Sequence, residues 1–295
     1  MKVPAGKAMA IVALVALCCL SACKHMKFEP PAQAALEDVF SNPNTSNDAD
    51  LLCRLMPAYL DELDAMMKKN KYDLQAVFKA SGAHFGYAFS CLEDTDKKAA
   101  METYLRGRDL ALAELRRYSF FDQSFDDSLS QFKKALAYNF DKRNIQPLYW
   151  AAMNWFFLTT LDLNAQGSKE ALQKAAAMLE FVAGIDGGYG NGTTYAVLGS
   201  IHAILDEGEG GDVELAKQEF ENAALYSGNS LLAINVLKAR WLATRLKDRA
   251  MFESLLREVL STPTDQFPDK TFVNVVARRK AQLLLENRRL FFPEG

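Results

Sequence analysis

Tyr195-Ala196-Val197-Leu198-Gly199-Ser200-Ile201-His202, followed after a glycine-rich turn by Ala216-Lys217-Gln218-Glu219-Phe220-Glu221-Asn222-Ala223, is the stretch that decides the fold. In both segments small residues recur beside large apolar ones at helical spacing. Leu198 and Gly199 let a second helix approach closely, and Ala216 and Phe220 fill the contact. The two segments therefore read as one antiparallel helix pair joined through Glu207-Gly208-Glu209-Gly210-Gly211. The same grammar extends outward. From Ala58 to Ser261 the only proline is Pro147, and Ala, Leu, Lys, Glu, Gln and Met dominate. No sustained apolar/polar alternation bounded by turn residues marks a strand. The punctuation predicts about eleven helices, at 48–68, 73–92, 96–118, 124–137, 147–162, 169–183, 193–206, 212–226, 230–246, 249–261 and 270–288. Pro147 is expected at the first helical position, Ser168 and Asp212 at helix starts, and Gly190-Asn191-Gly192 in a positive-φ turn before a helix capped by Thr193.

Repetition turns these pairs into an architecture. Tyr195, Leu198, Gly199, His202, Ala216, Phe220 and Ala223 match the tetratricopeptide signature once the turn at 207–211 is allowed as an insertion. A following pair with Trp241 and Ala250 at corresponding places, and an upstream unit from Tyr149-Trp150 to Met178, are more degenerate versions. Consecutive pairs of this kind give an all-α, right-handed antiparallel helix-pair solenoid, similar to tetratricopeptide folds.

Composition narrows the function classes. The chain has 295 residues, and its 34 Lys+Arg against 37 Asp+Glu give a net charge of −3 with no basic block of the kind that neutralises phosphates. Nucleic acid is not an expected partner. Five Cys and three His contain no C-x-x-C and no His pair at helical spacing, so no metal and no cofactor is expected. Lys2 and Lys7 precede the apolar run Ala8 to Leu20, and Leu20-Ser21-Ala22-Cys23 follows. This resembles the lipobox of bacterial lipoproteins, which makes residues 1–22 a signal peptide and Cys23 the lipidated N-terminus. An ordinary cleaved signal peptide is the alternative. Residues 23–47, with Pro30, Pro31 and Pro43, read as a flexible tether to a helical domain at 48–295. The longest later apolar stretch, Leu148 to Leu161, is interrupted by Asn154 and falls short of the ~18 residues of a membrane span.

Export gives the remaining cysteines a meaning. Cys53 and Cys91 lie symmetrically about the polar break Lys68-Lys69-Asn70-Lys71. If the flanking helices form a hairpin there, the two sulfurs meet at one level and can bridge; two buried free thiols are the other reading. Tyr149, Trp150 and Trp155, beside Phe156 and Phe157, could line an apolar ligand channel or simply pack as core. Asn191, between two glycines, offers a close-approach site or a plain turn. Arg278 and Arg279 beside Asn274 could read a carboxylate or sit on a solvated face. Glu253-Ser254 has the residue types of a glycoside-cleaving acid site, yet lies within an amphipathic helix. No nucleophile elbow or phosphate-cradling loop accompanies it, so no catalytic residue is expected.

Taken in order, several segments resemble one family. They are Tyr104-Leu105-Arg106-Gly107-Arg108-Asp109, Phe132 to Leu136, Pro147-Leu148-Tyr149-Trp150-Ala151-Ala152, Gly190-Asn191-Gly192, Leu198-Gly199, Ala216 to Ala223, Asp248 with Phe252, and Asn274 with Ala277-Arg278-Arg279-Lys280-Ala281. They are similar to the T component of TRAP transporters, bacterial periplasmic lipoproteins with degenerate tetratricopeptide helices. The resemblance runs from about residue 48 to 288. It implies a non-catalytic protein that docks the periplasmic solute-binding (P) subunit and assists substrate uptake. It also implies a homo-oligomer with a central opening, a trimer among the candidate sizes. A helical-repeat lipoprotein that scaffolds an envelope assembly complex is the alternative. Lys24, rather than Asp, follows Cys23, which favours an outer-membrane anchor facing the periplasm.

The anchor is testable directly: Cys23→Ser should release the protein from membranes without unfolding it. Equal membrane partition of variant and wild type would remove the lipobox reading.

Overall fold

Short polar side chains start six of the helices. Asp48, Asp73, Asp96, Ser128, Asp212 and Asp248 each accept a hydrogen bond from the backbone N–H three residues on. Each such cap contributes about 1 kcal/mol, because it satisfies a donor that the helix itself leaves open. The computed structural model describes residues 46, 48–70 and 73–293. The expected signal peptide, Cys23 and nearly all of the tether at 23–47 lie outside the described residues.

The described residues form twelve α-helices and no strand. They are α1 (Ala49–Lys69), α2 (Leu74–Tyr87), α3 (Lys97–Leu115), α4 (Ser119–Ser124), α5 (Leu129–Asn139), α6 (Ile145–Thr160), α7 (Ser168–Ile185), α8 (Thr193–Ile204), α9 (Val213–Ser227), α10 (Ala233–Leu237), α11 (Arg249–Ser261) and α12 (Thr271–Glu286). Two π-helical turns, Ala88–Leu92 and Lys238–Ala243, extend α2 and α10. None of these helices is long and apolar enough to cross a membrane.

The sequence reading holds for helix class and differs at particular ends. The expected helix at 124–137 starts later, at Leu129, because Ser128 caps it and accepts from Gln131 N at 3.4 Å, and a separate short helix, Ser119–Ser124, occupies the expected break before it. Pro147 is the third residue of α6, which begins at Ile145 behind a single turn at Lys142–Asn144 capped by Asp141. It is tolerated there because first-turn N–H groups have no intrahelical acceptor. Ser168 and Thr193 are first helical residues, not caps. Gly167 (φ +83°) and Gly192 (φ +86°) take the cap positions. The hydroxyl of Ser168 donates back to Asp162 O at 3.0 Å, and that of Thr193 to Gly190 O at 2.7 Å. The turn at 190–192 does carry positive φ at all three residues.

Sequence neighbours pack on one another from α1 to α3 and from α6 to α9, and α11 packs on α12. The α8–α9 pair has the contact that the glycine pattern requires: a Cβ at Gly199 would stand 3.0 Å from Ala216 O and 3.0 Å from the Phe220 ring. The centre of the body is α6, which touches α2, α3 and α7. Its Trp150 ring lies where a Cβ at Gly82 would be, 2.8 Å away, and its Asn154 Oδ1 lies 2.4 Å from the Cβ position of Gly107. Asn154 Nδ2 donates to Trp150 O at 2.9 Å and Ser81 O at 3.3 Å, while Ser81 Oγ donates to Gly107 O at 2.6 Å. Cys53 in α1 and Cys91 in the first π turn form a disulfide, with Cα atoms 5.5 Å apart.

Gly107→Ala should therefore destabilise the fold by about 1–2 kcal/mol, since overpacking outweighs the gain of up to ~1 kcal/mol in helix propensity. In the Asn154→Ala background the same change should be neutral or stabilising. Chemical denaturation of the four-protein cycle measures the coupling, and additivity would contradict this account of the crossing.

Candidate functional site

The residues singled out in sequence fall in three separate places. Tyr149 is buried against the glycine turn, where its hydroxyl pairs with Thr193 Oγ1 at 2.7 Å and its ring meets Tyr189 and Trp150 edge-on. Burial pushes its phenol up to about 12, so it stays a neutral donor or acceptor. Trp150 is partly buried over Gly82 and Phe85. Asn191, exposed at the turn, has φ +52°.

Trp155 lies elsewhere, stacked on Phe125 at 5.7 Å and covered by the Arg108 guanidinium at 5.5 Å, in a surface cleft. The third group is on α12. Asn274 is fully enclosed: its Oδ1 accepts from Leu232 N and its Nδ2 donates to Ser230 O, both at 3.0 Å. It thus pins α12 to the loop before α10. Arg279 donates to Ser90 O, while Arg278 beside it is partly buried. Glu253 is held by Arg249 at 2.9 Å and Arg257 at 3.0 Å. Those hydrogen bonds lower its pKa, the opposite of what a proton-donating acid needs.

Of the site residues singled out in sequence, only Phe157 of the aromatic run lines the cavity that the fold builds where its last helix returns to its first pairs. This cavity of about 350 Å³ draws on the first π turn, the end of α6, α10 with its π turn, and α12. Phe89, Phe157, Val236, Leu237, Leu283 and Leu284 give it apolar walls. Phe89 and Phe157 meet edge-on at 5.2 Å. Both π turns contribute to the lining, Phe89 from one and Arg240 with Trp241 from the other. π turns are rare and concentrate at functional sites, since they widen the helix and re-aim its side chains.

A buried charge cluster closes one side. Lys280 Nζ is 3.1 Å from Asp94 and 3.6 Å from Glu93, and it stands 4.5 Å from the centre of the Phe89 ring. Tyr104, fully buried, donates its hydroxyl to Glu93 Oε2 at 2.8 Å. Burial first, then the Glu93 charge, pushes the Tyr104 phenol well up, so it remains a proton donor. Lys280 was visible in sequence only as part of Arg278-Arg279-Lys280. Its role depends on two acids, the nearer of them, Asp94, 186 residues earlier, and no local pattern reports such a partner.

Comparison with known proteins adds one match. The family described as TRAP transporter T-component matches residues 45–292. No curated protein matches the chain.

Lys280→Met should cost about 3–5 kcal/mol of stability, nearer the lower figure because Asp94 reaches water. The loss comes mostly from leaving Glu93 and Asp94 together without a cation. Adding Glu93→Gln and Asp94→Asn should recover most of it. Denaturant titration checks both, and an unaffected single variant would show that the cluster holds nothing together.

Proposed function

Because the chain belongs to the TRAP transporter T-component family and so acts in TRAP transport, we propose that its helical body docks a periplasmic solute-binding subunit and offers that subunit's ligand an apolar path. The protein faces the periplasm on a lipid anchor at Cys23, with the outer membrane favoured, and works as a homo-oligomer without catalysing a reaction. The observation that carries this reading is the cavity where α12 meets the first π turn, the end of α6 and α10: about 350 Å³, with aromatic and aliphatic walls. Concave, mostly apolar spaces with a few polar groups are the usual form of small-molecule sites. Helical-pair repeats supply the extended surfaces on which partner proteins rest.

Docking of this kind commonly buries ~1,200–2,000 Å² in total and need not be tight. Calorimetric titration of residues 24–295 against the solute-binding protein encoded beside it should give saturable heat at tens of micromolar. No heat and no change in mobility, with both proteins folded, would replace this reading with the envelope-scaffold one.

A further inference from the structure

The cavity is not uniform in charge. On one side, Lys280 is already committed to Asp94 and Glu93, and Glu93 also holds the Tyr104 hydroxyl. The second cation on the wall, Arg240, is different. Among the described residues it has no carboxylate partner. Its guanidinium lies 4.7 Å from the centre of the Trp241 ring, which also lines the cavity. It is partly buried, so its five donors have lost part of their water without gaining an anion. Arginine is fixed well by stacking on an aromatic face, and its planar fork then matches a carboxylate with two parallel hydrogen bonds.

We propose that the cavity takes an amphipathic monocarboxylate, with its acid group on Arg240 and its apolar body between Phe89, Phe157 and Leu283. This rests on the reading above that a ligand enters the cavity, and it adds the ligand's chemistry and orientation. Two further observations support it. A dry cavity of roughly 150 Å³ accepts benzene, so about 350 Å³ takes a molecule of roughly 12–14 non-hydrogen atoms, the size of a medium-chain acid. The acid pair on the same wall exceeds Lys280 by one negative charge, which repels a carboxylate from Lys280 and leaves Arg240 as the cation open to it.

The test uses the full chain, exported and kept off membranes by Cys23→Ser, titrated calorimetrically with decanoate, 1-decanol and decylamine below their micelle concentrations. Wild type should bind decanoate at least about tenfold more tightly than decanol. Arg240→Gln should abolish that preference and leave decanol affinity unchanged, while Arg240→Lys should keep part of it. Because Arg240 makes no ion pair, its variants should melt with the wild type. Equal binding of decanoate and decanol, a preference for decylamine, or an Arg240→Gln protein that still prefers decanoate would each overturn the carboxylate assignment and leave the apolar path standing. Failure of all three probes to bind would overturn the ligand path itself and this proposal with it.

Discussion

Helix α6 can occupy the middle of the body only because positions 82 and 107 carry no side chain. Trp150 and Asn154 fill the volumes that two Cβ atoms would claim, and the backbone of α2 and α3 comes correspondingly close. The crossing is polar as well as tight, since Ser81 and Asn154 join three helices through hydrogen bonds to one another's backbone and side chains. A buried amide of this sort contributes less through its net energy than through exclusion of other registers, because a shifted crossing would leave its donors unmet. Everything attached to α6 inherits that register: α7 along one side, the N-terminal pairs along the other, and Phe157 at its end facing the cavity.

The second constraint is the return of α12 to the start of the body. Asn274 fixes one end of that helix against the loop at 230–232, and Lys280 fixes its middle against Glu93 and Asp94. The cavity begins at the second tie, Lys280, and continues along α12 through Leu283 and Leu284. Its walls come from segments distant in the chain, so its volume depends on closure rather than on any one helix pair. The disulfide between Cys53 and Cys91 reinforces the same end, because it joins α1 to the π turn that supplies Phe89 and the Ser90 carbonyl.

Helix class and most helix limits were legible in sequence because they are local. Helix composition, glycine turns and the spacing of Leu198, Gly199, Ala216 and Phe220 report contacts within one pair. The failures have local causes too: Ser128 opens a helix inside a stretch of continuous apolar periodicity, and glycines at 167 and 192 take the cap positions in place of the adjacent hydroxyl residues. The cavity was not legible. The aromatic run at 149–157 drew attention as a channel, yet only Phe157 of that run reaches the cavity, while Tyr149, Trp150 and Trp155 pack against other helices. The periodicity that identifies a helix says which residues share a face, not which face meets which partner, and the meeting of Lys280 with Glu93 and Asp94 is set by the closure of the whole chain.

The two π turns give chain length a meaning in this protein that composition does not capture. In the first, Glu93 N–H reaches back five residues to Ala88 O at 2.9 Å, so this segment accommodates one residue more than a regular turn would. Deleting a single residue there would restore an ordinary helix and rotate everything after it by about 100° about the helix axis. Glu93 and Asp94 would then swing away from Lys280 although every side chain remained in the protein. Relatives could thus gain, lose or re-aim the charged wall through one-residue insertions and deletions at 88–92 or 238–243, a route of divergence that a comparison of residue types alone would miss.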